Sequence, residues 1–349
     1  MVLKSLKYKI DAEKNFFIEE IMKEQLRLQP EIKNRYSAKM IDKTREDIAY
    51  NLDFLSQAVF IEEKKIFSRY FVWLKSVLEG YNLDKEVLEK NIAAMKKVLA
   101  DKLTKKEFDI VEPYLNSALE EINKSNYKES FLDKNKDYFE EAEQYLNSLL
   151  NMKREKAVNQ IREMAEAGTS VEDIYLKIFQ PVQYEIGRLW QLNKISVAEE
   201  HYATSITQLA MSQLYPYIFT ADDKECRCIT TCIGDELHEL GIRMVADLLE
   251  LNGWDTIHLG SNTPLEEITA ITAEKKIDLL AVSATMPIYI NDIVELINMV
   301  REKRSNKTKI IVGGGLFNSN SGLWKKIGAD AYAVDAADAV ISAGDLCVK

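Results

Sequence analysis

The sequence predicts a multidomain protein in which two all-helical segments precede a doubly wound, parallel α/β segment. Apolar residues recur at helical spacing through the first two segments, with breaks at glycine, proline and asparagine. From Cys226 onward the pattern changes to short β-rich runs that alternate with amphipathic helices. A chain of 349 residues is long enough for two or three such domains.

The first segment, residues 1–130, is predicted to be all-helical. Ile48, Leu52 and Leu55 belong to an apolar stripe of helical period. The polar stretch from Asn123 to Lys136 is the predicted linker to the next segment.

The second segment, residues 131–220, is predicted to form about four helices of the bundle type. Its last helix has a clear start, because Ser196 is followed three residues later by Glu199 and the two form a capping box. This start places Glu200 and His201 in the first turns of the helix.

The third segment, residues 221–349, is predicted to be a doubly wound parallel sheet of the Rossmann-like (flavodoxin-like) kind. Strands that alternate with helices imply a parallel sheet covered on both faces, and such sheets bind ligands beyond the carboxyl ends of their strands. The predicted strands are the runs CRCITTCIG, DTIHLG, DLLAVSA, KIIVGGG and AYAV.

Composition excludes several classes of protein. A formal charge of -10 disfavours direct binding of nucleic acid, which requires clustered Lys and Arg. The sequence predicts no membrane span and no signal peptide, hence a cytoplasmic location with reduced cysteines. The three histidines are His201, His238 and His258, so a histidine-ligated metal or haem within the first 200 residues is excluded.

The residues that follow the predicted strands suggest a binding site. Glu236, His238 and Gly241 follow the first strand, so that an acid can orient the imidazole and a glycine lets a large flat ligand approach the backbone. The third strand is followed by Ser283 and Thr285, and the fourth ends in Gly313, Gly314 and Gly315.

Other interpretations of these residues exist. A lone loop histidine is most often an ordinary polar residue, and a glycine loop also occurs in nucleotide sites. Neither Gly-Lys-Ser/Thr nor Gly-x-Gly-x-x-Gly is present at the required place.

Together these residues resemble the cobalamin-binding domain shared by methionine synthase, corrinoid methyltransfer proteins and the CarH-type light-dependent repressors. The usual signature is Asp-x-His-x-x-Gly, then Ser-x-Leu, then Gly-Gly; here Glu236 replaces the aspartate and Thr285 the leucine. The resemblance implies that His238 is the lower axial ligand of cobalt and Glu236 its hydrogen-bond partner. It also implies that Ser283, Thr285, Gly313, Gly314 and Gly315 line the channel for the cofactor's tail.

The stretch GRLWQLNKISVAEEHYAT resembles the cap of the CarH-type photoreceptors, with nine residues between Trp190 and Glu200-His201. This resemblance implies that Trp190 and Glu200 shield adenosylcobalamin on the upper face of the cofactor. It also implies that His201 ligates cobalt in the light state. The alternative is that Trp190 is a bundle core residue and Glu200-His201 a solvated helix start.

The segment DIAYNLDFLSQAVFIEEKKIFSRYFVWLKSVL resembles the globin-like domain of the photocobilins, which binds biliverdin beside cobalamin. By this resemblance Tyr50, Phe54, Tyr70 and Trp73 are candidates to line a bilin pocket. The alternative for each is an ordinary place in the helical core.

These resemblances lead to the expectation of a light sensor and not an enzyme. It would bind adenosylcobalamin, with biliverdin as a possible second chromophore, and signal through self-association or a protein partner, because no catalytic domain follows Lys349. Two alternatives stay open: a corrinoid methyl carrier for a methyltransferase system, and a cobalamin or redox sensor without photochemistry.

Overall fold

The computed structural model divides the chain into two compact units. One comprises Met1–Tyr127 with Gln191–Asn193, and the other comprises Lys128–Trp190 with Lys194–Lys349. The predicted domain boundaries at residues 130 and 220 stay predictions. The structure describes residues 2–30, 37–124, 130–219, 226–304 and 307–347.

The first unit is mostly helical, as predicted. Its core is apolar, with Phe17, Leu52 and Phe67 fully buried where the helices meet. Ser37 begins one of the helices by accepting a hydrogen bond from the backbone N–H of Met40. Within the described residues the helices are α1 Val2–Ala12, α2 Lys14–Leu28, α3 Ala38–Phe60, α4 Lys64–Gly80, α5 Glu86–Lys102 and α6 Lys105–Lys124.

The second unit begins with a helical cap. Its core contains the buried aromatic rings of Tyr145, Tyr175 and Phe179. Pro181 lies where a π-helical segment passes into an α-helix. The cap comprises α7 Phe139–Leu150, α8 Arg154–Glu166, a helical turn Val171–Asp173, the π-helical segment Ile174–Phe179, α9 Gln180–Gln191, α10 Val197–Ser212 and α11 Tyr215–Ile218.

The rest of the second unit is a Rossmann-like α/β domain, which confirms the predicted fold class. Among the described residues its sheet is parallel with the strand order β2-β1-β3-β4-β5. The strands are β1 Cys226–Cys232, β2 Trp254–Gly260, β3 Leu279–Ser283, β4 Lys309–Gly313 and β5 Ala331–Ala333. Between them lie α12 Leu240–Leu251, α13 Leu265–Glu274, a 3-10 turn Pro287–Tyr289, α14 Ile290–Arg304, α15 Gly315–Ser319, α16 Leu323–Ile327 and, after β5, α17 Ala336–Leu346.

This strand order decides where a ligand can bind. The chain winds outward from β1 in one direction to β2 and in the other to β3, so the loops after β1 and β3 diverge at a topological switch point. Since β1, β3 and β4 are consecutive in the sheet, their three following loops lie side by side at its carboxyl edge.

The cap and the α/β domain share one hydrophobic core. Met244 and Leu248 of α12, together with Ala336 of α17, pack in the same cluster as the buried cap residues. Across the described residues, no helix has both the length and the apolar character needed to span a bilayer.

Candidate functional site

The loop after β1 places an exposed imidazole beside a buried carboxylate. Glu236 is 1% exposed, whereas the side chain of His238 is 61% exposed. The Nδ1 atom of His238 hydrogen-bonds Oε1 of Glu236, and the backbone N–H of His238 donates to the same oxygen over 3.2 Å. With Nδ1 engaged in this way, Nε2 is the ring nitrogen that remains to bind a ligand.

The buried carboxylate is held from the neighbouring loop as well. Oε2 of Glu236 accepts hydrogen bonds from the backbone N–H groups of Thr285, over 2.7 Å, and Met286, over 2.9 Å. Sequence reasoning missed these two donors, because they are backbone groups about fifty residues further along the chain. They join the loop that follows β1 to the loop that follows β3.

The Glu236–His238 pair changes the pKa of both groups. Burial alone would raise the pKa of Glu236, but the hydrogen bond and charge of His238 and the two backbone N–H groups outweigh burial and lower it. The hydrogen bond with Glu236 raises the pKa of His238 despite the opposing effect of burial.

Replacement of Glu236 by glutamine is expected to lower the pKa of His238 in the cofactor-free protein. Glutamine keeps the size and an acceptor for the backbone donors, but it carries no charge to stabilise the imidazolium. The measurement is an NMR titration of the histidine Cε1–H signals, assigned with His201→Ala and His258→Ala variants. An unchanged pKa for His238 would show that the carboxylate does not act on this imidazole.

Glycines shape the loop after β4. Gly314 has φ +93°, and a Cβ there would lie 2.5 Å from the carbonyl oxygen of Ala284 and 2.8 Å from Oγ of Ser283. A Cβ on Gly315 would lie 3.2 Å from Cγ2 of Thr285. The predicted serine and glycine loops therefore pack against each other, and Gly314 cannot accept a side chain without movement of the backbone.

Two further features near His238 suit a large flat ligand. A Cβ added to Gly241 would meet no atom within 4 Å, so the space beside it is open. Leu237, next to His238, is 78% exposed, which is unusual for so large an apolar side chain. An apolar macrocycle lying on this loop would cover it.

The cap contributes a second group of predicted residues. The capping box of Ser196 and Glu199 is confirmed. Nδ1 of His201 lies 2.5 Å from Oε2 of Glu200, and the His201 side chain is 72% exposed. The charge of Glu200 contributes to the raised pKa of His238, so the carboxylate of the cap lies within electrostatic range of the β1 loop. Trp190, at the end of α9, is partly buried.

Sequence reasoning also missed a polar row that starts just before α12 and continues along it, which we call the cap seam. Glu239, Arg243 and Asp247 are spaced four residues apart and so share one face of the helix. Each is hydrogen-bonded to the cap: Gln208 Nε2 to Glu239 Oε1 over 3.0 Å, Arg243 Nη2 to the Tyr215 hydroxyl over 2.5 Å, and the Tyr175 hydroxyl to Asp247 Oδ2 over 2.6 Å. The four-residue spacing was visible in the sequence, whereas the cap partners were not.

The aromatic residues predicted for a bilin lie in the first unit. Phe54 and Tyr70 are 4% and 8% exposed and stack with ring centroids 3.8 Å apart. The Tyr70 hydroxyl donates to Oδ1 of Asn51, and Tyr50 and Trp73 are surface-exposed. The bilin pocket stays a prediction.

Comparison with known proteins identifies two matched segments. Residues 226–341 match a family model described as a B12 binding domain, and residues 141–215 match a second model with the same description. The chain therefore carries a cobalamin-binding cap and a cobalamin-binding α/β domain.

Curated relatives are corrinoid proteins. Dimethylamine corrinoid protein 3 of Methanosarcina acetivorans is 23% identical over 57% of this chain and 93% of its own length. Monomethylamine corrinoid protein 1 of the same organism is 27% identical over 51% of this chain and 84% of its own length. The solved structure of the monomethylamine corrinoid protein of Methanosarcina barkeri shares the fold, with 23% identity and a TM-score of 0.54 over 60% of this chain and 99% of that chain.

These relatives overturn two expectations. The interpretation as a CarH-type photoreceptor with a photocobilin-like domain is wrong, and so is the light-sensor function, because the relatives found are methylamine corrinoid proteins. Nor do they support adenosylcobalamin or biliverdin. The error came from the spacing of Trp190, Glu200 and His201, since two neighbouring cap helices can hold such residues in a protein of another function. What the two family-model matches support for this chain is the binding of cobalamin.

Proposed function

We propose that this protein is a corrinoid methyl carrier that serves a separate methyltransferase. The observation that carries the proposal is the exposed imidazole of His238, fixed by the buried Glu236, in a chain whose relatives are methylamine corrinoid proteins. A bound corrinoid supplies a cobalt centre that takes up and releases a methyl group. The protein would then be a carrier and not itself the catalyst, with the methyltransferase as its partner.

Each predicted site residue has a place in this proposal. His238 provides Nε2 as the lower ligand, and Glu236 holds the neutral tautomer that a metal requires. The tail channel would be lined by Ser283, Thr285, Gly313, Gly314 and Gly315. Gly241 leaves room for the macrocycle. Trp190, Glu200 and His201 belong to the cap that would cover the upper face and keep bulk water away from it.

Several expectations from the sequence remain predictions. One is the division into domains at residues 1–130, 131–220 and 221–349, of which the second and third would bind the corrinoid. The first segment, with its predicted globin-like fold, has no assigned ligand. The cytoplasmic location, the absence of direct nucleic acid binding and self-association are likewise predictions of the sequence.

An add-back experiment tests the carrier role. Extract of the source cells, depleted of this protein, should lose methyl transfer from mono- or dimethylamine to the methyl acceptor. Added cobalamin-loaded protein should restore the transfer, whereas His238→Ala protein, matched in concentration, should not. The proposal would be overturned if the depleted extract still transferred the methyl group at full rate from mono- and dimethylamine and from every other methylated compound tested.

A further inference from the structure

Helix α12 begins directly after the candidate ligand loop, so the start of the helix is continuous with the loop. Glu239 occupies the position before the first residue of the helix, and its carbonyl oxygen accepts the backbone N–H of Arg243 over 3.0 Å. Its own backbone N–H donates to the carbonyl oxygen of Leu237 over 2.9 Å. The backbone on both sides of His238 is therefore tied to Glu239.

The side chain of Glu239 does not cap its own helix. Instead, Oε1 of its carboxylate accepts a hydrogen bond from Nε2 of Gln208 over 3.0 Å. The other oxygen, Oε2, lies 3.5 Å from Oγ of Ser261. Gln208 belongs to cap helix α10, and Ser261 follows β2. One carboxylate therefore joins the cap, the end of β2 and the residue next to His238.

We propose that the Gln208–Glu239 hydrogen bond positions His238, so that the cap sets the axial coordination of the bound corrinoid. This inference rests on the proposed function. Glu239 is a positioning residue in this scheme: it touches neither cobalt nor the methyl group, and it acts through the backbone of the loop. When the cap is docked, the bond holds the imidazole where its Nε2 can reach the metal.

The other two contacts of the cap seam have a different role. Arg243 and Asp247 lie about 6 and 12 Å further along the helix axis than Glu239, at 1.5 Å per residue. Their bonds to Tyr215 and Tyr175 hold the cap against the body of α12. Loss of one of these bonds should weaken docking of the cap without a direct effect on the loop.

The test uses the electron paramagnetic resonance spectrum of the full chain, labelled with 15N-histidine and loaded with cob(II)alamin. A 15N ligand splits each cobalt line into a doublet, whereas the cofactor's own 14N benzimidazole nitrogen would give a triplet. The variant Gln208→Glu replaces the Gln208–Glu239 hydrogen bond with two carboxylates that repel each other. We expect about a tenfold increase in the ratio of cobalt without to cobalt with the histidine nitrogen, the size typical of coupled neighbouring groups. Gln208→Ala should give a smaller shift in the same direction.

The double variant Gln208→Glu with Glu239→Gln restores a donor opposite an acceptor and should restore the wild-type spectrum. Tyr175→Phe is the matched control: it should lower the melting temperature and leave the nitrogen splitting intact. Identical spectra for wild type, Gln208→Glu and Gln208→Ala would overturn this inference alone. Equal loss of splitting in Tyr175→Phe would also overturn it, because cap docking in general would then be responsible. Absence of the 15N-histidine doublet in the wild type would instead refute the proposed ligand.

Discussion

Replacement of His238 by alanine is expected to remove the 15N-histidine splitting from the spectrum of the cobalamin-loaded protein and to weaken cobalamin binding by more than about tenfold. Loss of a partner that only orients a metal ligand already costs about 10–100-fold in affinity. Loss of the ligand itself should cost at least as much. Because the His238 side chain is 61% exposed, the fold should tolerate the change, and the measurement is a cobalamin titration alongside the melting temperature.

His258→Ala is the matched control. This third histidine lies on β2 with its Nδ1 2.9 Å from Oγ1 of Thr230. The His258→Ala protein should bind cobalamin with wild-type affinity. If the His238→Ala protein took up cobalamin with wild-type affinity and an unchanged spectrum, the candidate site would be misplaced and the carrier proposal would lose its central observation.

Replacement of Gly314 by alanine is expected to destabilise the α/β domain by about 3 kcal/mol, from left-handed backbone strain and overpacking together. Gly314 has φ +93°, and the added Cβ would overlap the carbonyl group of Ala284 and Oγ of Ser283. Any relaxation that relieves the overlap must separate the loops after β3 and β4, so cobalamin binding should fall as well. Chemical denaturation and cobalamin titration of the same sample measure the two effects.

Gly322→Ala provides the comparison, since its Cβ would meet no atom within 4 Å and its φ of -92° suits any residue. Its free energy of unfolding should lie within about 0.5 kcal/mol of the wild-type value. Wild-type stability in the Gly314→Ala protein would mean that the two loops are not packed as described.

The sequence predicted the α/β domain well because a buried parallel strand is a continuous apolar run that ends at a turn. The run DLLAVSA is short and apolar, as expected for a parallel strand buried on both faces, and β3 forms there. The loop with Glu236 and His238 was predictable because the two residues are close in sequence.

Contacts between distant segments could not be predicted in this way. The backbone donors of Thr285 and Met286 to Glu236 depend on how two loops meet, and any residue can supply a backbone N–H. Glu239 looked like an ordinary polar residue at a helix start, because its partner Gln208 lies in another helix. The function was predicted wrongly for a related reason: residues that line a cap do not by themselves reveal what the cap covers.

The hydrophobic cluster that Met244 and Leu248 share with the cap has a practical consequence for truncation. A fragment beginning at β1 would expose the apolar stripe of α12 to water, and a fragment ending after α11 would lose part of its interior. Either piece should aggregate on expression. Expression trials of the corrinoid-binding part should therefore begin near Lys128, the start of the second compact unit, and keep cap and sheet in one polypeptide.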